Sequence, residues 1–181
     1  AVSARNVARG LADADAAPDL LVRIPPISTD GPDAARERVR EVLDLGADGV
    51  VIPHVMSLEE ARTALSFFEG VDVWSPQNRD GTVVALLIVE DPEVFGELQA
   101  IADLPGYSGL LCGIGSLTAA LGGDREAAEA IALEVLETST RAGLVDLMTV
   151  DPASVARRVE QGFLALLAYG PQALEAIRIG R

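Results

Sequence analysis

Short apolar runs alternate with longer helical patterns along the chain, and this alternation restricts the fold more than any other feature of the sequence. Runs at 20–24, 49–52, 83–89, 109–112, 144–150 and 163–168 read as strands. The third, Val-Val-Ala-Leu-Leu-Ile-Val, is continuous in the manner of a strand buried on both faces. Between and around them, 6–16, 33–45, 57–68, 91–102, 124–142, 151–161 and 171–177 read as helices. The punctuation agrees with this reading. Pro25 and Pro26 end the first run, Gly46 and Gly162 close helices, and Ser57 with Glu59 and Glu60 behind it makes a good helix start. Residues 71–81 read as a loop, and a glycine turn at 113–115 leads into a short helix with Ser116 near its start. Repeated β/α units imply a parallel sheet covered by helices.

Six strands are two short of a closed (β/α)₈ barrel, which typically takes roughly 250 residues. The chain also opens on a helix with no strand before it. The fold expected is therefore an α/β TIM barrel lacking its first β-α-β portion, with residues 1–181 forming a single domain. An open, doubly wound sheet of six strands is the alternative.

Composition removes several chemistries. All 14 basic residues are Arg, so the chain has no lysine for a Schiff base, for pyridoxal phosphate or for a P-loop. One Cys and one His cannot form an internal disulfide or a structural zinc site. Any metal chemistry must then use oxygen ligands, which points to Mg²⁺ or Mn²⁺. A formal charge of −14 argues against nucleic acid as a partner. No apolar run approaches the roughly 20 residues of a membrane span, and residues 1–9 have no apolar h-region, so a cytoplasmic location is expected.

In a barrel, chemistry sits at the carboxyl ends of the strands. Arg23 stands in the first apolar run, where an unpaired charge is costly, so an anionic partner is expected. That partner is either a substrate carboxylate or enolate oxygen gripped by the guanidinium fork, or a structural ion pair with a neighbouring strand. Glu90 stands at the tip of the buried third run as a natural metal ligand, while helix capping suits Asp91 better. The turn at Gly115 and Ser116 delivers backbone N–H groups suited to an anion, or serves structure alone. His54 is either a proton shuttle or a hydrogen-bonded support. Cys112 reads as inert packing, and Trp74 with residues 77–79 either rims a pocket or covers the core.

Taken together, Val22-Arg23-Ile24-Pro25, the stretch Leu43-Asp44-Leu45-Gly46-Ala47-Asp48-Gly49-Val50-Val51-Ile52-Pro53-His54-Val55, then Ile88-Val89-Glu90-Asp91, Gly113-Ile114-Gly115-Ser116-Leu117 and Leu121-Gly122 resemble the HpcH/HpaI aldolase and citrate lyase family. The resemblance implies a class II, metal-dependent aldolase that makes or breaks a C–C bond between pyruvate, or a related 2-oxo acid, and an aldehyde. It makes Arg23 the residue that binds the oxo acid and stabilises its enolate, Glu90 the ligand of Mg²⁺ or Mn²⁺, and Gly115 and Ser116 contacts to the substrate carboxylate.

Two departures qualify what the resemblance implies. Ser116 occupies the position at which the family carries an Asp metal ligand, and a neutral hydroxyl is a poorer ligand for a hard cation. The family's catalytic His belongs to a strand expected ahead of residue 6, and His54 matches a different, non-catalytic position. A catalytically degenerate binding or assembly protein is therefore one alternative. A CoA-ester lyase of the citrate lyase branch is another, weakened because no basic cluster for the CoA phosphates stands out. An incomplete barrel exposes strand edges and apolar surface, so a homo-oligomer is expected.

Overall fold

The computed structural model describes residues 6, 7, 10 and 19–180. Six strands form one sheet in sequential order: β1 (Leu21–Arg23), β2 (Gly49–Ile52), β3 (Val84–Val89), β4 (Gly109–Cys112), β5 (Val145–Val150) and β6 (Ala165–Ala168). Every neighbouring pair is parallel. A doubly wound sheet reverses its strand order at a switch point. This order never reverses, which removes the open doubly wound alternative. The sheet curls into a half-barrel, since Arg23 of β1 and Leu167 of β6 line one cavity with residues of the strands between. Among the described residues β1 and β6 are its two edges.

The helices are α1 (Ile27–Asp30), α2 (Pro32–Asp44), α3 (Leu58–Ser66), α4 (Leu98–Ala102), α5 (Ile114–Ala120), α6 (Arg125–Ala142), α7 (Val155–Gln161) and α8 (Ala173–Ile179). The main core lies between helices and the convex face of the sheet, where Val50, Ile52, Leu87, Val89, Leu110 and Met148 pack with Val39, Ala61 and Val135. The intervening strand residues Val51, Leu86, Ile88 and Leu111 form a smaller cluster on the concave face. Successive side chains of a strand point to opposite faces, so a strand buried on both must be apolar throughout. That is why 83–89 contains no polar residue.

One carboxylate intrudes into the helix-facing layer. Asp146, in register with Leu110, is 1% exposed, and neither of its oxygens accepts a hydrogen bond of good geometry. Burial pushes its carboxyl up to about 7, an effect the nearby Ser139 hydroxyl partly offsets. Arg158 is equally buried but paired, with Nη1 2.7 Å from Oε2 of Glu129.

Local capping matches the sequence. Ser57 accepts a hydrogen bond from the Glu60 amide at 3.1 Å, and Asp124 accepts one from the Ala127 amide at 2.9 Å. Each such cap contributes about 1 kcal/mol. Three segments differ from expectation. The segment after β3 begins as a 3₁₀ helix, Pro92–Glu97, within which Gly96 weakens an α-helix. The helix expected from 151 starts only at Val155; ahead of it the Asp151 and Ser154 side chains accept hydrogen bonds from each other's amides at 2.8 and 3.0 Å. A short helix, α1, follows Pro26. Of the helix expected at 6–16, Asn6, Val7 and Gly10 are helical and the rest lies outside the described residues. Among the described residues no helix is long and apolar enough to cross a membrane.

Candidate functional site

The carboxyl ends of the strands open onto a cavity of about 250 Å³ lined by Arg23, Glu90, Gly115, Ser116, Thr149 and Tyr169, with Ile88 and Leu111 beside them. The period of two explains the convergence. Arg23 is in register with Val51, and Val51 with Leu86, so Arg23 falls on the concave side. Glu90 lies two residues beyond Ile88, which faces the same way. A guanidinium and a carboxylate 67 residues apart in sequence thus meet at one mouth.

Of the two partners expected for Arg23, the structural ion pair with a neighbouring strand is absent among the described residues. The side chain is exposed and makes no salt bridge among the described residues. Its charge costs little because the side chain is exposed at the mouth of the cavity, where water solvates the guanidinium. This leaves all its donors available.

Glu90 is 5% exposed, and its Oε1 accepts no hydrogen bond. A Cβ on Gly113 would lie 2.0 Å from Glu90 Oε2, so the strand-to-helix turn must be glycine for the carboxylate to sit where it does. On the other side stands His54, with Nε2 3.2 Å from Glu90 Oε1 and Nδ1 3.1 Å from Asp91 Oδ2. Asp91 occupies the cap position of the following 3₁₀ turn but caps nothing; its carboxylate is used on His54 instead. The lone imidazole is therefore bound into the site's support, outside the cavity wall.

A second cavity, of about 350 Å³, adjoins the first along Gly115, Thr149 and Tyr169, and adds Arg125, Asp151, Ser154 and Gln172. Hydrogen bonds from Ser154 hold the Asp151 carboxyl below its ordinary range. Arg125 shares Glu129 with Arg157 and Arg158. Sequence reasoning missed these residues, although Thr149, Asp151 and Tyr169 lie at the carboxyl ends of β5 and β6, where the rule that found Glu90 applies equally.

Trp74 and residues 77–79 belong elsewhere. The Trp74 amide donates to the Val83 carbonyl at 2.8 Å, which places the loop at the amino end of β3, and Arg79 stacks over the Trp74 ring at 5.0 Å. The loop covers the opposite end of the sheet. Cys112 is fully buried on the convex face, and burial pushes its thiol up to about 12.

Among the described residues no three His, Cys, Asp or Glu side chains gather to hold a metal. The cavity offers a cation the Glu90 carboxylate and the Ser116 hydroxyl. Such a donor set suits a hard cation that completes its shell with water and substrate oxygens, as Mg²⁺ does, and not a closed protein cage.

Known proteins share the sequence pattern and the fold. The sequence profile described as HpcH/HpaI aldolase/citrate lyase matches residues 2–170. The pyruvate aldolase of Rhizobium etli is 27% identical over 169 residues, covering 76% of this chain, and the match spans 66% of that protein's length. The HpcH/HpaI aldolase of Desulfitobacterium hafniense DCB-2 superposes with a TM-score of 0.75 at 22% identity, covering 98% of this chain and 75% of that one. The citrate lyase beta subunit of M. tuberculosis, complexed with oxaloacetate and magnesium, superposes with a TM-score of 0.66 at 19% identity, covering 89% of this chain and 72% of that one. At those identities the two structures speak for the fold.

Proposed function

The chain belongs to the HpcH/HpaI aldolase/citrate lyase family, and we propose that it is a class II aldolase forming or cleaving a C–C bond between pyruvate, or a related 2-oxo acid, and an aldehyde. The observation that carries this reading is the convergence of Arg23 and Glu90 on one cavity at the carboxyl ends of the strands. The relative named as a pyruvate aldolase supports pyruvate as the donor. The β/α order and the curled sheet support a (β/α)₈ barrel as the complete fold.

Glu90 would hold a divalent cation, Mg²⁺ or Mn²⁺, through its buried carboxylate, with the Ser116 hydroxyl as a weaker neutral donor. Bound there, the cation supplies Lewis-acid stabilisation of the charge that develops as a 2-oxo acid enolises. Arg23 presents its fork of N–H donors to the substrate carboxylate or to the oxygen that becomes anionic. Gly115 and Ser116, on the same wall, offer backbone N–H groups to the carboxylate. Ile88 and Leu111 keep the wall beside Glu90 apolar, which strengthens these attractions relative to water. These 181 residues contain no lysine that could form an imine. The adjoining cavity, with Arg125, Ser154 and Gln172, would receive the aldehyde, and its polar lining favours a hydroxylated acceptor over an apolar one.

Exchange of the pyruvate methyl protons for deuterium, followed by proton NMR with Mg²⁺ present, tests the proposal. The wild-type protein should catalyse exchange, and Arg23→Ala should lower the rate by about 10²–10³, the cost of removing one preorganised donor to a developing oxyanion. Absence of wild-type exchange would refute it. A second reading, a non-catalytic binding protein on the same scaffold, is favoured by the single carboxylate on the cavity. Calorimetric binding of oxalate and Mn²⁺ without any exchange would establish that reading instead. A CoA-ester lyase fits less well, since Arg125 is the one basic side chain lining the second cavity.

A further inference from the structure

His54 is unexplained by the reaction as described. It follows β2 and Pro53, and at φ +54° it is the one non-glycine residue with positive φ among the described residues. That conformation is strained for an L-residue and persists only where surrounding contacts over-determine it. The contacts are specific. Nδ1 lies 3.1 Å from Asp91 Oδ2 in hydrogen-bonding geometry, and Nε2 lies 3.2 Å from Glu90 Oε1. The Val55 amide donates to the Ile88 carbonyl at 3.4 Å, which ties this segment to the end of β3. Opposite the ring, Glu90 Oε2 lies where only a glycine at 113 leaves room. The carboxylate is therefore confined in a slot between an imidazole and a bare stretch of backbone.

We infer that His54 is a positioning residue for Glu90. Asp91 orients the ring, and the ring holds the Glu90 carboxylate in the one orientation that turns it toward the cavity shared with Arg23. The backbone strain at residue 54 is what brings the ring between the two acids. This inference rests on the proposed role of Glu90 as the cation ligand, and its test separates the two.

His54→Asn keeps the backbone, because Asn tolerates positive φ, but its shorter side chain does not bridge both carboxylates. His54→Gln keeps enough reach for one. Mn²⁺ binding measured by electron paramagnetic resonance, with and without oxalate, should be about 10–100-fold weaker in His54→Asn, the usual cost of losing a support behind a ligand. His54→Gln should fall between it and wild type, and thermal midpoints should stay close to wild type. The protein has one His, so its ring ¹⁵N resonances need no assignment. In metal-free protein Glu90→Gln should shift the Nε2 resonance, while Asp103→Asn, just beyond α4, should leave it in place. Wild-type Mn²⁺ affinity in His54→Asn, or ring resonances indifferent to Glu90→Gln, would overturn the inference. If wild-type protein binds no Mn²⁺ even with oxalate, the ligand role of Glu90 fails, and the ring resonances alone then decide whether His54 positions it.

Discussion

Replacing Asp146 by Asn should make the protein more stable above neutral pH, and by an amount that the structure bounds. The carboxyl sits on the convex side of β5 under α6, 1% exposed and without a well-aligned hydrogen-bond donor on either oxygen. Cys112 and the Glu129–Arg158 pair are the ionisable groups that share this layer with it, and the Ser139 hydroxyl stands beside it. Burial raises its pKa from 3.8 to about 7. The folded state therefore keeps a proton that the unfolded chain releases, so stability falls as pH rises from about 4 to about 7 and stays at the lower level above that. At roughly 1.4 kcal/mol for each decade of pKa, the full penalty is about 4 kcal/mol as an upper bound. Asn is nearly isosteric and carries no charge at any pH, so the penalty is absent in the variant. Urea unfolding of both proteins at intervals from pH 4.5 to 8.5 measures the difference, with the slope of the transition checked for constancy. The gap between Asp146→Asn and wild type should open through this window in favour of the variant, and then level off. Parallel curves, or a gap that closes with rising pH, would show that Asp146 is ionised throughout and that burial does not govern it.

Other outcomes follow from the same packing. Gly113→Ala introduces a methyl group 2.0 Å from Glu90 Oε2, so Mn²⁺ affinity should drop by about tenfold or more while far-ultraviolet circular dichroism stays that of wild type. Leu87→Ala, at the centre of the convex core, should cost about 2–5 kcal/mol in chemical denaturation without changing the slope of the transition. Leu164, Tyr169 and Leu174 are more than 70% exposed around β6 and α8, so self-association is expected. Light scattering should show oligomers that Leu174→Arg weakens, and a monodisperse monomer in wild-type protein would contradict it.

Most of what near neighbours in the chain set is readable from the residues themselves. The strand runs, the Ser57 cap and the position of Glu90 at a strand tip depend on periodicity and on bonds that span three or four residues, and the folded protein keeps them. The larger missing pieces are those that depend on distant partners. Whether six strands wind once or twice is a matter of which edges pair, and identical apolar runs satisfy either order; the pairing from β1 through β6 settles it. An apolar strand suggests burial and hence an acid for Arg23, yet the side chain opens onto the cavity mouth and stays exposed. His54 and Asp91 lie 37 residues apart in the sequence, and no local pattern relates them. Residue types and their spacing determined which chemistries this protein could carry, because composition and local hydrogen bonding are properties of the chain alone. Only the curl of the sheet decided which groups share a cavity, because proximity across strands is created by packing and is absent until the chain has folded.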